Sequence, residues 1–346
     1  MYQKYQSNEP TENRKKKKDY NSYDTDEGRR IAMQKKELIM NGEVQLSGTV
    51  SMPKENLNGT AIIFIPGSGK IDRDGNVLKP KVNFNIYKDL SDYLVELGFI
   101  TFRYDKRGVG KSEGSHLATG LYDSIQDVKA IIEHLRNDPA FGLKNILLLG
   151  HSEGTMIGTA VAASTEVDGL ILLAGGGETL EEATKRQREL SFQALEEKKN
   201  ITGWLFRTFS LAEKAEKKNQ RLFKKMRDSD KDIIKVQMMP LPAKWLREHF
   251  DYDLLGDLKK LTCPVLAVTG NVDIQTDAEK LDRIRELVAD AQCYELESMD
   301  HMLKEETEEP NILDAKNAYK KNVHKPLHPQ LKTILENWLL RYNESN

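Results

Sequence analysis

Serine stands between two glycines in Gly150-His151-Ser152-Glu153-Gly154. A serine hydroxyl is a weak nucleophile until a base takes its proton, and the base needs a carboxylate to hold it in the right tautomer. A glycine two positions either side suits a serine raised on a tight turn, because a side chain there would collide with the elements the turn joins. The setting supports that reading. The motif follows the apolar run Ile146-Leu147-Leu148-Leu149 and precedes a small-residue helix read from Thr155 to Ala163. A strand, a strained turn and a helix are what a nucleophile elbow requires. The elbow also puts the Glu153 backbone N–H at a helix N-terminus, where negative charge is stabilised. The second donor of such an oxyanion hole is sought in Pro66-Gly67-Ser68-Gly69, after the strand 61–65, with Ser68 N–H as the candidate.

The acid and the base of such a site follow the serine in the chain, each behind a later strand. The strand 263–270 ends in Gly270-Asn271-Val272-Asp273, which makes Asp273 the leading candidate for the acid. Asp277 is second and reads more naturally as the cap of the helix that follows. Of the 7 histidines, His116, His134 and His151 stand before or beside the serine and His249 stands in a charged middle block. Among His301, His324 and His328, the first directly follows the strand 292–297 and is the candidate base. Asp300 beside it is read as shaping its loop.

The elements that must position these residues alternate. Asn41-Gly42 separates two strand-like runs, 36–40 and 43–52, as a hairpin turn would. Strands at 61–65, 99–104, 146–149 and 169–174 then alternate with helices at 84–97, 121–137 and 155–163. That order predicts βαβ units and an α/β fold: a mostly parallel sheet flanked by helices, with an antiparallel hairpin at its start. From 178 to 258 the pattern is helical, highly charged and without a strand signal; the sheet resumes at 263–270. The expected organisation is a polar tail (1–30), a core (31–177 and 259–346) and a helical cap inserted at 178–258.

A net charge of −2 gives no global field to recruit nucleic acid or an anionic membrane. No apolar run spans a bilayer, and the polar start, with its basic run Arg14 to Lys18 read as solvated, has no secretory core. Cys263 and Cys293 are read as free core thiols, and the expected location is the cytoplasm. No metal or cofactor is called for, and oligomeric state is not legible.

Three stretches carry a resemblance. Residues 64–75, 103–114 and 263–275 are similar to the oxyanion loop, the Asp-x-Arg-Gly-x-Gly-x-Ser loop and the acid-bearing strand of the α/β-hydrolase superfamily. More narrowly, the chain resembles serine-aminopeptidase-like and dienelactone-hydrolase-like esterases. The resemblance implies Ser152, His301 and Asp273 as catalytic residues, Ser68 and Glu153 as the oxyanion hole, and 178–258 in place of the family's helical cap. Asp105, Arg107 and Ser112 of the middle stretch are read as scaffold.

The activity expected is hydrolysis of small or medium carboxylic esters through an acyl-enzyme. Peptidase or acyl-CoA thioesterase chemistry is the first alternative, and a binding protein that no longer turns over is the second. Trp204, Phe206, Phe209, Met238, Met239, Leu241 and Trp245 could line an acyl pocket or simply form the cap's own core. Arg73 could meet a substrate carboxylate or sit in a structural ion pair.

Overall fold

A computed structural model describes residues 33–308 and 311–343; the polar tail and its basic run lie outside them. The chain opens with strands β1 (Met33–Asn41) and β2 (Gln45–Pro53), antiparallel, with Asn41 opposite Gln45. The link is therefore the three residues Gly42-Glu43-Val44, one more than the Asn-Gly signal predicts. Val44 packs against the core, which accounts for the extra residue. Then come β3 (Thr60–Ile65), a two-residue hairpin of β4 (Val77–Leu78) and β5 (Lys81–Val82), α1 (Ile86–Glu96), β6 (Ile100–Tyr104), α2 (Leu121–Asn137), β7 (Asn145–His151), α3 (Glu153–Ala162) and β8 (Gly169–Leu173).

The main sheet has eight strands. Six belong to the run named so far, in the order β1-β2-β6-β3-β7-β8, and β11 (Val265–Gly270) and β12 (Ala291–Leu296) complete it beyond β8. All pairings from β6 onward are parallel. The central strands are apolar throughout because both faces are covered. Ile63 and Leu148 face one core with Val128 of α2 and Ile157 of α3; Ile62, Leu147 and Leu149 face the other with Leu90 of α1. Cys263 and Cys293 are free, and burial pushes both thiols up to about 11.

Between the adjacent strands β8 and β11 the chain makes a long excursion. It contains α4 (Leu180–Glu196), α5 (Ile201–Phe209), α6 (Leu211–Arg227), β9 (Ile233–Val236), β10 (Met239–Pro242), α7 (Ala243–Asp251) and α8 (Leu254–Leu258). The strand pair β9–β10 corrects the reading of this segment as wholly helical. Its strands have four residues each, too few for a periodicity, and its turn bends at Gln237 and Met238, both at positive φ (49° and 66°), in place of the usual glycine or asparagine. Met226, Ile234, Ala243 and Leu246 form a small core of the segment's own, whereas Leu254 and Leu258 of α8 join the core under the sheet. The chain ends with α9 (Leu281–Leu287) before β12, then α10 (Ala315–Lys321) and α11 (Pro329–Leu339). No helix among the described residues is long and apolar enough to cross a membrane.

Candidate active site

Strand β7 delivers Ser152 at φ 56° and ψ −121°, a conformation that L-residues rarely adopt. The turn is held open for it by its glycines. A Cβ on Gly150 would lie 2.2 Å from the Gly154 carbonyl oxygen, and one on Gly154 would lie 2.0 Å from that of Ile65. Alanine at Gly154 is accordingly expected to push β3 off the elbow, destabilising the fold by about 2–4 kcal/mol. A fall of Tm of less than about 2 °C would contradict this close packing.

The other two residues arrive on neighbouring ends of the same sheet. Asp273 lies three residues past β11 and His301 five past β12. His301 Nε2 is 3.1 Å from Ser152 Oγ, and His301 Nδ1 is 2.8 Å from Asp273 Oδ2. The Thr276 hydroxyl (2.7 Å) and the backbone N–H groups of Gln275 (2.8 Å) and Thr276 (3.1 Å) also donate to the Asp273 carboxylate. Burial alone would push this carboxyl up; His301 and these donors outweigh it and hold it below the usual carboxylate range. Asp277 instead accepts from Glu279 N–H and pairs with Lys280, as a helix cap does. Asp300 accepts from the N–H groups of Met302 and Lys304, pinning the His301 loop. His324 and His328 lie outside this arrangement.

Comparison with known proteins places the chain. Residues 83–308 match the model of a family described as serine aminopeptidase, S33. The chain belongs to the S33 serine aminopeptidase family. It is 27% identical over 248 residues to esterase EstD of Thermotoga maritima, an alignment that covers 70% of this chain and 53% of that protein. The chain thus spans about half the length of this curated relative. Among solved structures it superposes on Est1E of Butyrivibrio proteoclasticus with bound ferulic acid (TM-score 0.54, 18% identity, 82% of this chain and 96% of that one). It also superposes on proline iminopeptidase of Mycobacterium smegmatis (TM-score 0.57, 13% identity, 89% and 99%). These likenesses establish the α/β-hydrolase fold.

In this S33 family member the two candidate oxyanion donors flank the serine. Glu153 N–H opens α3, and Ser68 follows Gly67, on which a Cβ would stand 3.1 Å from Ser152 Cβ. A second hydrogen-bond chain ties the site together, and it was not anticipated from chain order. Gly67 N–H donates to the Tyr87 hydroxyl (2.9 Å), Tyr87 meets His151 Nδ1 (3.0 Å), and His151 Nε2 meets the His301 carbonyl (2.9 Å). Burial, then the neighbouring His301, lowers His151 to about 3, so the ring is neutral. The consistent assignment has Tyr87 O–H donating to Nδ1 and Nε2–H donating to the carbonyl. His151 therefore locks the elbow to the oxyanion loop and to the backbone of the candidate base. The signal for it was a polar residue at the end of an otherwise apolar buried strand.

A cavity of about 450 Å³ opens over Ser152 and His301. Its wall is apolar and comes from an unexpected quarter: Ile71, Val77, Val82, Phe84 and Ile86 around the β4–β5 hairpin, and Ile312 and Leu313 before α10. Of the two readings open for the excursion's aromatic and methionine side chains, the acyl pocket is the one this wall does not support. Trp204, Phe206, Met238, Met239, Leu241 and Trp245 do not line it, and Met238 is 92% exposed; the Phe209 side chain lies outside the described residues. Among the described residues of that segment, only Gln187 of α4 reaches the cavity.

Arg73 proves structural, donating to Asp105, Glu37, Thr49 and Ser47. Asp105 fits under Gly110, Arg107 grips Asp127 through two 2.8 Å hydrogen bonds, and Ser112 donates to the Asp105 carbonyl. Among the described residues no group of three or more His, Cys, Asp and Glu side chains could hold a metal ion.

Proposed function

We propose that this protein is a serine carboxylesterase that cleaves small to medium esters through an acyl-enzyme. The observation that carries the reading is the continuous chain from Asp273 through His301 to Ser152 at the floor of an apolar cavity. His301, oriented by Asp273, takes the Ser152 proton as Oγ adds to the ester carbonyl. Negative charge on the carbonyl oxygen meets the N–H groups of Ser68 and Glu153, each donor worth about 10²–10³ in rate. Collapse of the adduct breaks the ester C–O bond, and His301 returns the proton to the leaving alkoxide. Water, deprotonated in turn by His301, then cleaves the acyl-enzyme. In this reading residues 178–258 serve as the helical cap, contributing Gln187 to the cavity wall.

The wall also speaks to the substrate. No carboxylate lines the cavity among the described residues. Among those lining residues a free α-amino end, which an aminopeptidase must hold, would meet no counter-charge, whereas an acyl chain would lie against aliphatic carbon. Labelling with a fluorophosphonate and peptide mapping tests the nucleophile: modification at Ser152 is expected, and modification only elsewhere would refute the assignment. A p-nitrophenyl ester series tests the pocket. Each methylene buried is worth about 0.8 kcal/mol, or about fourfold in kcat/KM, so the rate is expected to climb from acetate to hexanoate. Val82→Trp, filling the wall, should cut the hexanoate-to-acetate ratio by about tenfold while leaving acetate turnover within about threefold. An unchanged ratio would move the acyl chain elsewhere.

A further inference from the structure

Two features beside the serine are not used by the mechanism above: a lysine buried in the Gly-rich loop after β6, and the acidic side chain of the residue that follows the nucleophile. Lys106 retains 11% of its side-chain exposure and Glu153 10%. Burying either charge is costly unless it is paired and hydrogen-bonded. Their partners show what the charges are arranged around.

Lys106 Nζ donates to the Gly67 carbonyl oxygen and stands 3.6 Å from Glu153 Oε2. The Gly67 C=O and the Ser68 N–H belong to one trans peptide unit, so they point in opposite directions. A cation fixed on the carbonyl therefore fixes the direction of the N–H, and by polarising the amide makes it a stronger donor. The preceding peptide is fixed as well, because Gly67 N–H is held by Tyr87. Through Glu153 the same ammonium reaches the residue that supplies the second donor.

Glu153 is gripped from the far side by α7. Trp245 Nε1–H donates to Oε1, and His249 Nε2 lies 3.1 Å from the same oxygen, off the direction of a formed hydrogen bond. His249 Nδ1 lies 2.8 Å from the Trp245 carbonyl, which sets that ring. Burial would push the Glu153 carboxyl up; Lys106, then His249 and Trp245, pull it down to about 2. Burial pushes the Lys106 ammonium down, with Glu153 opposing.

We propose that Lys106 is the positioning residue of the oxyanion hole: its ammonium aims and polarises the Ser68 N–H through the Gly67 carbonyl and, through Glu153, couples both donors to helix α7. The proposal rests on the esterase reading, in which those N–H groups receive the oxyanion. It assigns a rate role to a residue that touches no substrate.

Lys106→Met keeps most of the length of the side chain and removes the ammonium and its charge. It is expected to lower kcat by about 10- to 100-fold with KM within about twofold, a part of what a whole oxyanion donor supplies. Affinity for a trifluoromethyl ketone, whose adduct with Ser152 places an oxyanion in the hole, should fall by a similar factor. Lys106→Met leaves Glu153 buried without its cation and so lowers Tm. The double variant Lys106→Met/Glu153→Gln removes both charges, and carries the test if the single variant does not fold. A positioning role predicts that the double variant regains Tm but neither kcat nor ketone affinity. Recovery of kcat to within about threefold of wild type, or full ketone affinity in either folded variant, would overturn the proposal. Failure of the wild type to hydrolyse any ester or to take up the ketone would strike the esterase reading instead.

Discussion

Ser152→Ala is expected to lower kcat on a p-nitrophenyl ester by about 10⁶-fold while leaving KM and Tm close to wild type. The size follows from the geometry. His301 Nε2 is 3.1 Å from the Ser152 oxygen and has no other nucleophile within hydrogen-bond reach among the described residues. Removing the oxygen removes the covalent pathway entirely. His301→Ala should cost nearly as much, because an unactivated hydroxyl is little better than none. The double variant should then be no slower than either single one, since residues that act as one unit do not contribute additively. The measurement is steady-state kcat on all three proteins, with freshly purified enzyme to exclude a trace of wild type. Losses that multiply in the double variant would mean that Ser152 and His301 act in separate steps. Retention of more than about a hundredth of the activity in Ser152→Ala would remove Ser152 from the chemistry.

The parts of this site that were legible in the sequence are those set by local pattern. Ser152 and Asp273 each follow a strand whose apolar run announces it, and chain order then singles out His301, behind the mixed strand β12. The sheet was legible for the same reason: β3, β7, β8 and β11 are buried on both faces, and such burial demands unbroken apolar runs. The residues that stayed hidden owe their roles to contacts far apart in the chain. Lys106 reads as one more charge in a glycine-rich loop; its burial appears only when the loop after β6 is brought beneath the one after β3. His151 reads as a spacer in the motif until Tyr87, 64 residues earlier, is placed against it. The pocket wall hid for a different reason. Strands of two residues, as in β4 and β5, carry no periodicity, so Val77 and Val82 looked like loop. The large apolar residues at 204–245 left pocket and cap core both open, because size and hydrophobicity are visible in a sequence, whereas direction is not.

Asp273→Asn carries the second large effect, an expected fall of about 10⁴-fold in kcat/KM at neutral pH with the fold retained. The carboxylate accepts from His301 Nδ1, so the proton on that ring sits at Nδ1 and the lone pair at Nε2 faces Ser152. A carboxamide of the same shape can turn its NH₂ toward Nδ1, which moves the ring proton to Nε2 and leaves no base for the serine. It also withdraws the negative charge that stabilises the imidazolium formed during attack. Stability supplies an independent readout with a definite sign. Asp273 has its folded-state carboxyl below its unfolded value of about 3.9, so its ionised form favours the folded chain. That contribution is complete above the unfolded value and is lost as pH falls through the lower folded one. Wild type should therefore lose stability at this site between about pH 4 and the folded value, and the asparagine variant, having no proton to take up there, should lose less over the same interval. Urea unfolding at pH 7 and near pH 3, with kcat/KM at pH 7, measures both. An asparagine variant within tenfold of wild-type activity would sink the role of Asp273 as the group that orients His301, and an identical acid loss in the two proteins would show that its charge is not coupled to folding.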